Sequence, residues 1–204
     1  MGLLLTTQPA VEPVTVAEVR AALSVADNDH DAHIAKLITA ARRRAEAYTH
    51  RAFISQAWRL TLDRFPIEFW LPRPPTISVT NIQYVDTDGV TQTVDTSVYR
   101  VTSNTEPARV TTEYAKTWPT PRNVTECILV NYTAGYGTDP SDVPEEARQA
   151  IILMCGEWYD FPANATTGGV VRPIPHNAEW LLDSLRTGTV MSWAGLPVYE
   201  TVSK

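Results

Sequence analysis

Three aspartates at alternate positions, Asp27, Asp29 and Asp31, open as a calcium-binding loop opens, with carboxylates spaced to converge on one cation. The pattern then fails, because Ala32 stands where the turn needs glycine and Ile38 where a bidentate glutamate should close the site. Helix capping accounts better for the acids. His30 and His33 are three apart and could share a metal, but no third ligand of suitable type follows. Arg42, Arg43 and Arg44 could contact phosphate. At about 100° per residue Arg43 lies nearly opposite the apolar side of its helix, with Arg42 and Arg44 flanking it, so the three share no face. A solvated or subunit-facing surface is favoured, with a DNA-facing patch as the alternative; Arg42 can also pair with Glu46 at i,i+4. Glu145, Glu146, Glu157 and Asp160 are carboxylates on one helix, where Glu145 reads as a cap and the others as a polar edge. They have no partner base, nucleophile or glycine-rich loop. No GxSxG, HExxH, CxxC or phosphate-loop pattern occurs. The expectation is a non-enzymatic protein with no catalytic residue, metal or cofactor.

The elements that carry these residues are legible from periodicity. Residues 29–53 read as one long amphipathic helix, with Ile34, Leu37, Ile38, Ala41, Ala45 and Tyr48 on its apolar stripe. Asp27, Asn28 and Asp29 stand where an N-cap belongs, and Arg42, Arg43, Arg44, His50 and Arg51 load the C-terminal half, the order the helix dipole favours. Before it, Thr15-Val16-Ala17-Glu18 is a capping box opening a helix to about Leu23, with Val16, Val19 and Leu23 inward. From Gln56 the period drops to two: Trp58, Leu60 and Leu62 alternate with polar residues, and Ile67, Phe69 and Leu71 repeat the pattern until three prolines at 72, 74 and 75 break it. Further strands are expected at 77–85 and 90–94, joined by the turn Asp86-Thr87-Asp88-Gly89, and near 98–101, 109–112 and 127–133, with Trp118-Pro119-Thr120-Pro121 in the longest loop.

Helix returns after Gly137. Asp142 and Glu145 suggest a second capping box with Pro144 in the first turn, and Ala147, Ala150, Ile151, Met154 and Trp158 form a stripe broad enough to sit centrally in a core. Residues 161–175 read as a mobile loop, and 177–186 as a last helix carrying Trp180, Leu181 and Leu185. The remaining segment has no helical or strand period. It is too apolar for an ordinary disordered tail, and its aromatic residues suit a docking role. The fold class expected is α+β: a small helical bundle, made of a helix hairpin plus C-terminal helices, with an inserted antiparallel β section and an extended C-terminal tail. By residue this divides into an extended arm at 1–13, a helical core at 14–55 and 138–187, a β-rich section at 56–137 and an apolar tail at 188–204.

Composition agrees with a globular protein: 204 residues, 44% hydrophobic and 20% charged. No run approaches the roughly 18 apolar residues of a membrane span, and the N-terminus lacks the pattern of a signal peptide, so a soluble, intracellularly made protein with no membrane partner is expected. Without such a signal, the sequons at Asn123, Asn131 and Asn164 read as chance, and Cys127 and Cys155 as core thiols. A net charge of −6 counts against general nucleic-acid binding while leaving room for a local basic patch.

The order of these elements, with VTVAEVRAAL at 14–23, DNDHDAHI in the acidic turn, AARRRAEAYTHRAF at 40–53, LTLDRFP at 60–66, LPRPPTISVTNIQYVDTDG at 71–89 and YTAGYGTDPSDVPEEARQAI at 132–151, resembles the head–tail connector (adaptor, or head-completion) family of long-tailed bacteriophages and gene-transfer particles. The likeness spans roughly 14–186. It implies a structural virion protein, made in the bacterial host cytoplasm and placed at the head–tail junction. There it would form a homo-oligomeric ring, usually of twelve subunits, below the portal protein. Such a ring extends the channel, passes DNA without specific binding, and meets a stopper or tail protein on its lower face. A free chain could be monomeric. In several members a C-terminal extension reaches the portal. Carried onto this chain, portal contact falls to Val190, Met191, Trp193, Leu196, Pro197, Val198 and Tyr199, and Lys36, Arg42, Arg43 and Arg44 become candidates to face a neighbouring subunit or the channel. A stopper or tail-completion protein is the nearest rival role, and a DNA-binding protein using Arg42–Arg44 a more distant one.

Overall fold

The computed structural model describes residues 1–161 and 176–187, together with the backbone of 189–191 and 197–199. The chain is α+β, with four helices among the described residues and antiparallel sheets. It divides into two compact units: a helical one of Val11–Ile54 and Gly137–Arg186, and a β one of Met1–Ala10, Ser55–Tyr136 and Thr187–Lys204.

In the helical unit, α1 (Val16–Leu23) begins at a complete capping box: Glu18 N donates to Thr15 Oγ1 at 3.2 Å, and Thr15 N donates to Glu18 Oε2 at 2.7 Å. Val19 is its buried residue, while Val16 and Leu23 are half-buried. Helix α2 (Asp31–Thr49) buries Ile34, Ile38, Ala41 and Ala45 and half-buries Leu37 and Tyr48. Both of its ends differ from expectation. The N-cap is His30, which makes no side-chain cap bond. Asp27 instead closes a local turn by accepting from Asp29 N at 3.3 Å, the backbone alternative that short acidic side chains offer. At the other end His50 takes a left-handed conformation (φ 57°), which ends the helix four residues before Phe53, and Ala52, Phe53 and Ile54 are buried in non-helical chain.

Helix α3 (Glu145–Asp160) packs against α1, α2 and α4 (His176–Asp183). Ala147, Ala150, Ile151, Met154 and Cys155 are buried, and Trp158 is half-buried. The expected Asp142–Glu145 box is displaced by one short element: Asp139 and Asp142 cap each other across a 3-10 turn at Pro140–Asp142, and Pro144 holds the N-cap position of α3. That turn crowds Gly137, where a Cβ would lie 1.9 Å from Asp142 Oδ2. In α4 the buried residues are Ala178 and Leu182; Leu181, and Leu185 just past the helix, are half-buried, and Trp180 is 76% exposed. The expected loop at 161–175 lies outside the described residues after Phe161.

The β unit holds a five-stranded antiparallel sheet in the order β1 (Gly2–Thr7), β2 (Gln56–Leu62), β8 (Ile128–Ala134), β4 (Thr76–Val85), β5 (Thr91–Thr93). The opening segment, expected as an arm, is thus an edge strand, Leu4 pairing with Arg59. Alternation places Leu60 and Leu62 of β2, Ile128, Val130, Tyr132 and Ala134 of β8, and Ile82 of β4 in the core. A polar ladder crosses the opposite face: Arg59 Nε donates to Asn131 Oδ1 at 2.9 Å, and Asn131 Nδ2 to Asn81 Oδ1 at 2.7 Å. A second sheet runs β3 (Glu68–Trp70), β7 (Arg109–Thr112), β6 (Tyr99–Thr102). Phe69 and Leu71 are buried as expected, but Ile67 precedes β3 and is 91% exposed. The Trp-Pro-Thr-Pro loop is pinned by its first residue. Trp118 stacks on Phe65 at 4.7 Å between ring centroids and lies near Phe69 and Tyr99. Finally, β9 (Thr189–Met191) pairs with β10 (Pro197–Tyr199). Strands of three residues are too short to show a period, which is why the sequence presents this segment as unpatterned.

Candidate functional site

The residues singled out for contact fall on three places of different character: inside the helical unit, on the outer face of α2, and along the chain end. Arg42 belongs to the first and is only 2% exposed. Its Nε donates to Glu12 Oε2 at 2.7 Å and its Nη1 to Glu46 Oε2 at 2.9 Å. Glu46 also accepts from Phe53 N at 3.0 Å, so one carboxylate holds both the arginine and the chain leaving α2. Thr39 Oγ1 donates to Glu12 at 2.9 Å. This closed group removes Arg42 from the list of residues able to face a subunit or a channel. The i,i+4 partner Glu46 was visible in sequence; Glu12, thirty residues earlier on non-helical chain, carried no local signal.

Arg148 plays a similar part and gave no signal either. Its guanidinium hydrogen-bonds the Glu18 carboxylate, Glu145 Oε2 at 2.7 Å and Pro13 O at 3.1 Å, joining α3 to the capping box of α1. Glu145 therefore pairs with Arg148 rather than capping its helix. The backbone N–H of Thr15, its hydroxyl and then Arg148 hold the Glu18 carboxyl below the usual range, against the opposing effect of burial.

Lys36, Arg43 and Arg44 are exposed, with no ion pair among the described residues. His30 and His33 are exposed as well, and their rings rest against Tyr159 with centroids 5.6 and 6.2 Å away. Among the described residues no group of three or more His, Cys, Asp or Glu is assembled to hold a metal. Cys127 and Cys155 are buried and unpaired; burial pushes the Cys155 thiol up to about 12, which keeps it protonated and unreactive near neutral pH. No described helix is long and apolar enough to cross a membrane.

The chain end leaves from α4, which α2 anchors firmly. Tyr48 Oη donates to Asp183 Oδ1 at 2.6 Å, Arg51 Nε donates to Leu185 O at 2.5 Å, and Arg186 lies over the Tyr48 ring at 5.3 Å. Burial, then the bond to Asp183, raises the Tyr48 phenol well above its ordinary value, so it remains a donor at any physiological pH. Beyond Thr187 the described backbone is the β9–β10 pair, with Val190 opposite Val198 and Met191 opposite Pro197. Trp193 and Leu196 lie outside the described residues, as do the side chains of Val190, Met191, Pro197, Val198 and Tyr199.

No protein-family model and no curated protein matches the chain. Solved structures do, three of them each over 93% of this chain and 97% of the other. These three are the neck of an empty gene transfer agent (GTA) particle computed with C6 symmetry (25% identity, TM-score 0.77), the virion of a native GTA particle (26%, 0.75), and the neck of a native GTA particle computed with C12 symmetry (27%, 0.73). With nearly full-length coverage on both sides, this chain is a structural relative of gene-transfer-agent neck proteins, and the resemblance to the head–tail connector family carried by its sequence is borne out.

Proposed function

We propose that the chain is a non-enzymatic structural protein of a virion or gene-transfer-particle neck, and within the neck the connector. In this reading copies form a ring, twelve in the assembled particle, below the portal protein. The ring extends the channel through which DNA passes without specific binding and presents its far side to a stopper or tail protein. The observation that carries this is the likeness to GTA neck structures along almost the whole chain. The helix pair α1–α2 packed on α3 supports connector over stopper, for which a mainly β chain is expected. A net charge of −6 suits a conduit, since a wall that must let DNA slide should not bind its phosphates.

Portal contact falls to the segment after Thr187, with Trp193, Leu196, Val198 and Tyr199 as anchors beside Val190, Met191 and Pro197. Ordering such a segment costs chain entropy, which buried aromatic area offsets. The test is binding of the full chain, and of a version ending at Thr187, to the portal protein from the same genome. Ring-like binding by the full chain alone supports both parts. Binding by both versions keeps the connector and assigns the tail to another partner. If neither binds, the connector role is lost and the stopper role gains.

A further inference from the structure

The outer face of α2 has no partner among the described residues of its own chain. Ala32, Ala35, Lys36, Ala40, Arg43, Arg44 and Ala47 are all exposed, and no acid interrupts them. The alanines keep this face low, so another surface can approach closely, and the three cations are unneutralised among the described residues. The same helical unit carries the opposite surface at the other end of α2. Asp27 and Asp29 of the turn before α2 are exposed and form no ion pair among the described residues. The Tyr159 contact with His30 and His33 brings the C-terminus of α3 beside them, with exposed Asp160 and the negative end of that helix dipole. Several other acids of the unit are already used: Asp31 pairs with Arg20, Glu145 with Arg148, and Asp139 with Asp142 in their mutual cap.

Arg43 and Arg44 lie too far from these acids to be neutralised by them within one chain, and Lys36, about 8 Å along the helix from Asp31, marks the near edge of the basic face. From Asp31 to Arg43 the helix rises about 18 Å at 1.5 Å per residue, more than twice the Debye length of ~8 Å at physiological ionic strength. Complementary patches at separated places on one molecule are what a head-to-tail contact between identical copies requires, and such contacts give a ring when the rotation between copies closes. Resting on the ring proposed above, we infer that a second copy of this chain is the occupant: Lys36, Arg43 and Arg44 on α2 of one copy dock on Asp27, Asp29 and Asp160 of the next.

The test uses paired charge reversals, Arg43→Glu with Arg44→Glu in one full-length variant and Asp29→Lys with Asp160→Lys in another. Native mass spectrometry follows oligomers of each, with and without the portal protein as template. Each variant should associate about tenfold more weakly or worse than wild type while keeping its thermal midpoint, since all four residues are exposed. An equimolar mixture should recover the ring, because alternating copies then restore opposite charges at every junction. Rings indifferent to both reversals, or a mixture that stays dissociated, overturn the inference and leave the ring itself standing. Wild-type chain that never associates, even on the portal, overturns the ring proposal instead. Intact rings combined with loss of salt-dependent binding to a short DNA duplex in the Arg43/Arg44 variant would assign the face to DNA and also overturn the inference.

Discussion

Residues 11–54 and 137–186 carry fourteen acids and nine bases, whereas residues 1–10, 55–136 and 187–204 carry nine and eight. The two units use their charge differently. In the helical unit, buried or half-buried arginines tie segments far apart in sequence: Arg42 holds Glu12 and Glu46, and Arg148 holds Glu18, Glu145 and the backbone of Pro13. In the β unit the ion pairs Arg100–Glu113 and Arg109–Glu68 are exposed and worth little, and the distant segments are joined by rings around Trp118. A helix satisfies its own backbone and needs side chains to fix its neighbours. A sheet fixes its neighbours through backbone pairing and needs apolar mass to hold its loops.

The comparison breaks first at Arg42. Arg42→Ala leaves two carboxylates facing each other in a buried site, and should cost about 3–5 kcal/mol, read as a fall in the denaturant midpoint. Replacing Arg42 and Glu46 together by leucine should cost clearly less than the single change; equal costs would show that the pairing is not what the site depends on. Next comes Trp118→Ala in the β unit. Trp118 is only half-buried, so its loss should cost roughly 2–3 kcal/mol, below the ~3–5 of a fully buried ring. Hydrogen exchange should show that cost as lost protection in β3, β6 and β7, with the helices spared.

A smaller effect is expected at Thr15→Ala, which removes the Oγ1 acceptor for Glu18 N and should cost about 1 kcal/mol, with fraying confined to α1. The smallest is a pH effect at Glu18. Its folded carboxyl titrates below the unfolded one, so its contribution is fully present above the ordinary carboxylate range of ~4.3 and fades as pH falls through that range to the lowered value. A Glu18→Gln variant should therefore lose less stability on acidification than wild type, in melts taken from neutral to acidic pH.

Local chemistry made much of this fold legible. The Thr15–Glu18 box, the stripe of α2 and the alternation in β2 and β8 are each contained within a few residues, and each forms where the sequence places it. The misplacements occurred where a neighbouring option competes. Asp27, Asn28 and Asp29 all stand where a cap belongs, but Asp27 turns the chain on itself and His30 takes the position. Asp139 and Asp142 claimed the second box before Glu145 could. In α4 the small Ala178 and Leu182 are the buried residues, while the larger Trp180 is left exposed. The candidate surface was legible in part: Arg43 and Arg44 are exposed as the wheel predicted, and Lys36 with them, but Arg42 is not, because Glu12 gives no sign in sequence of where it will fold.

The packing of α2 on α3 also sets the order in which the protein can be made. The ribosome releases α2 about a hundred residues before α3, roughly 5–20 s at ~5–20 residues per second. During that interval Ile34 and Ile38 have α1 beside them but not the surface they finally meet, while the strands β2 to β8 emerge and can pair among themselves. The β unit can therefore be largely assembled while the helical one still waits, its apolar stripe open to any chaperone or any neighbouring nascent chain. Growth conditions that slow translation between residues 55 and 136 should lengthen that exposure and lower the yield of folded protein.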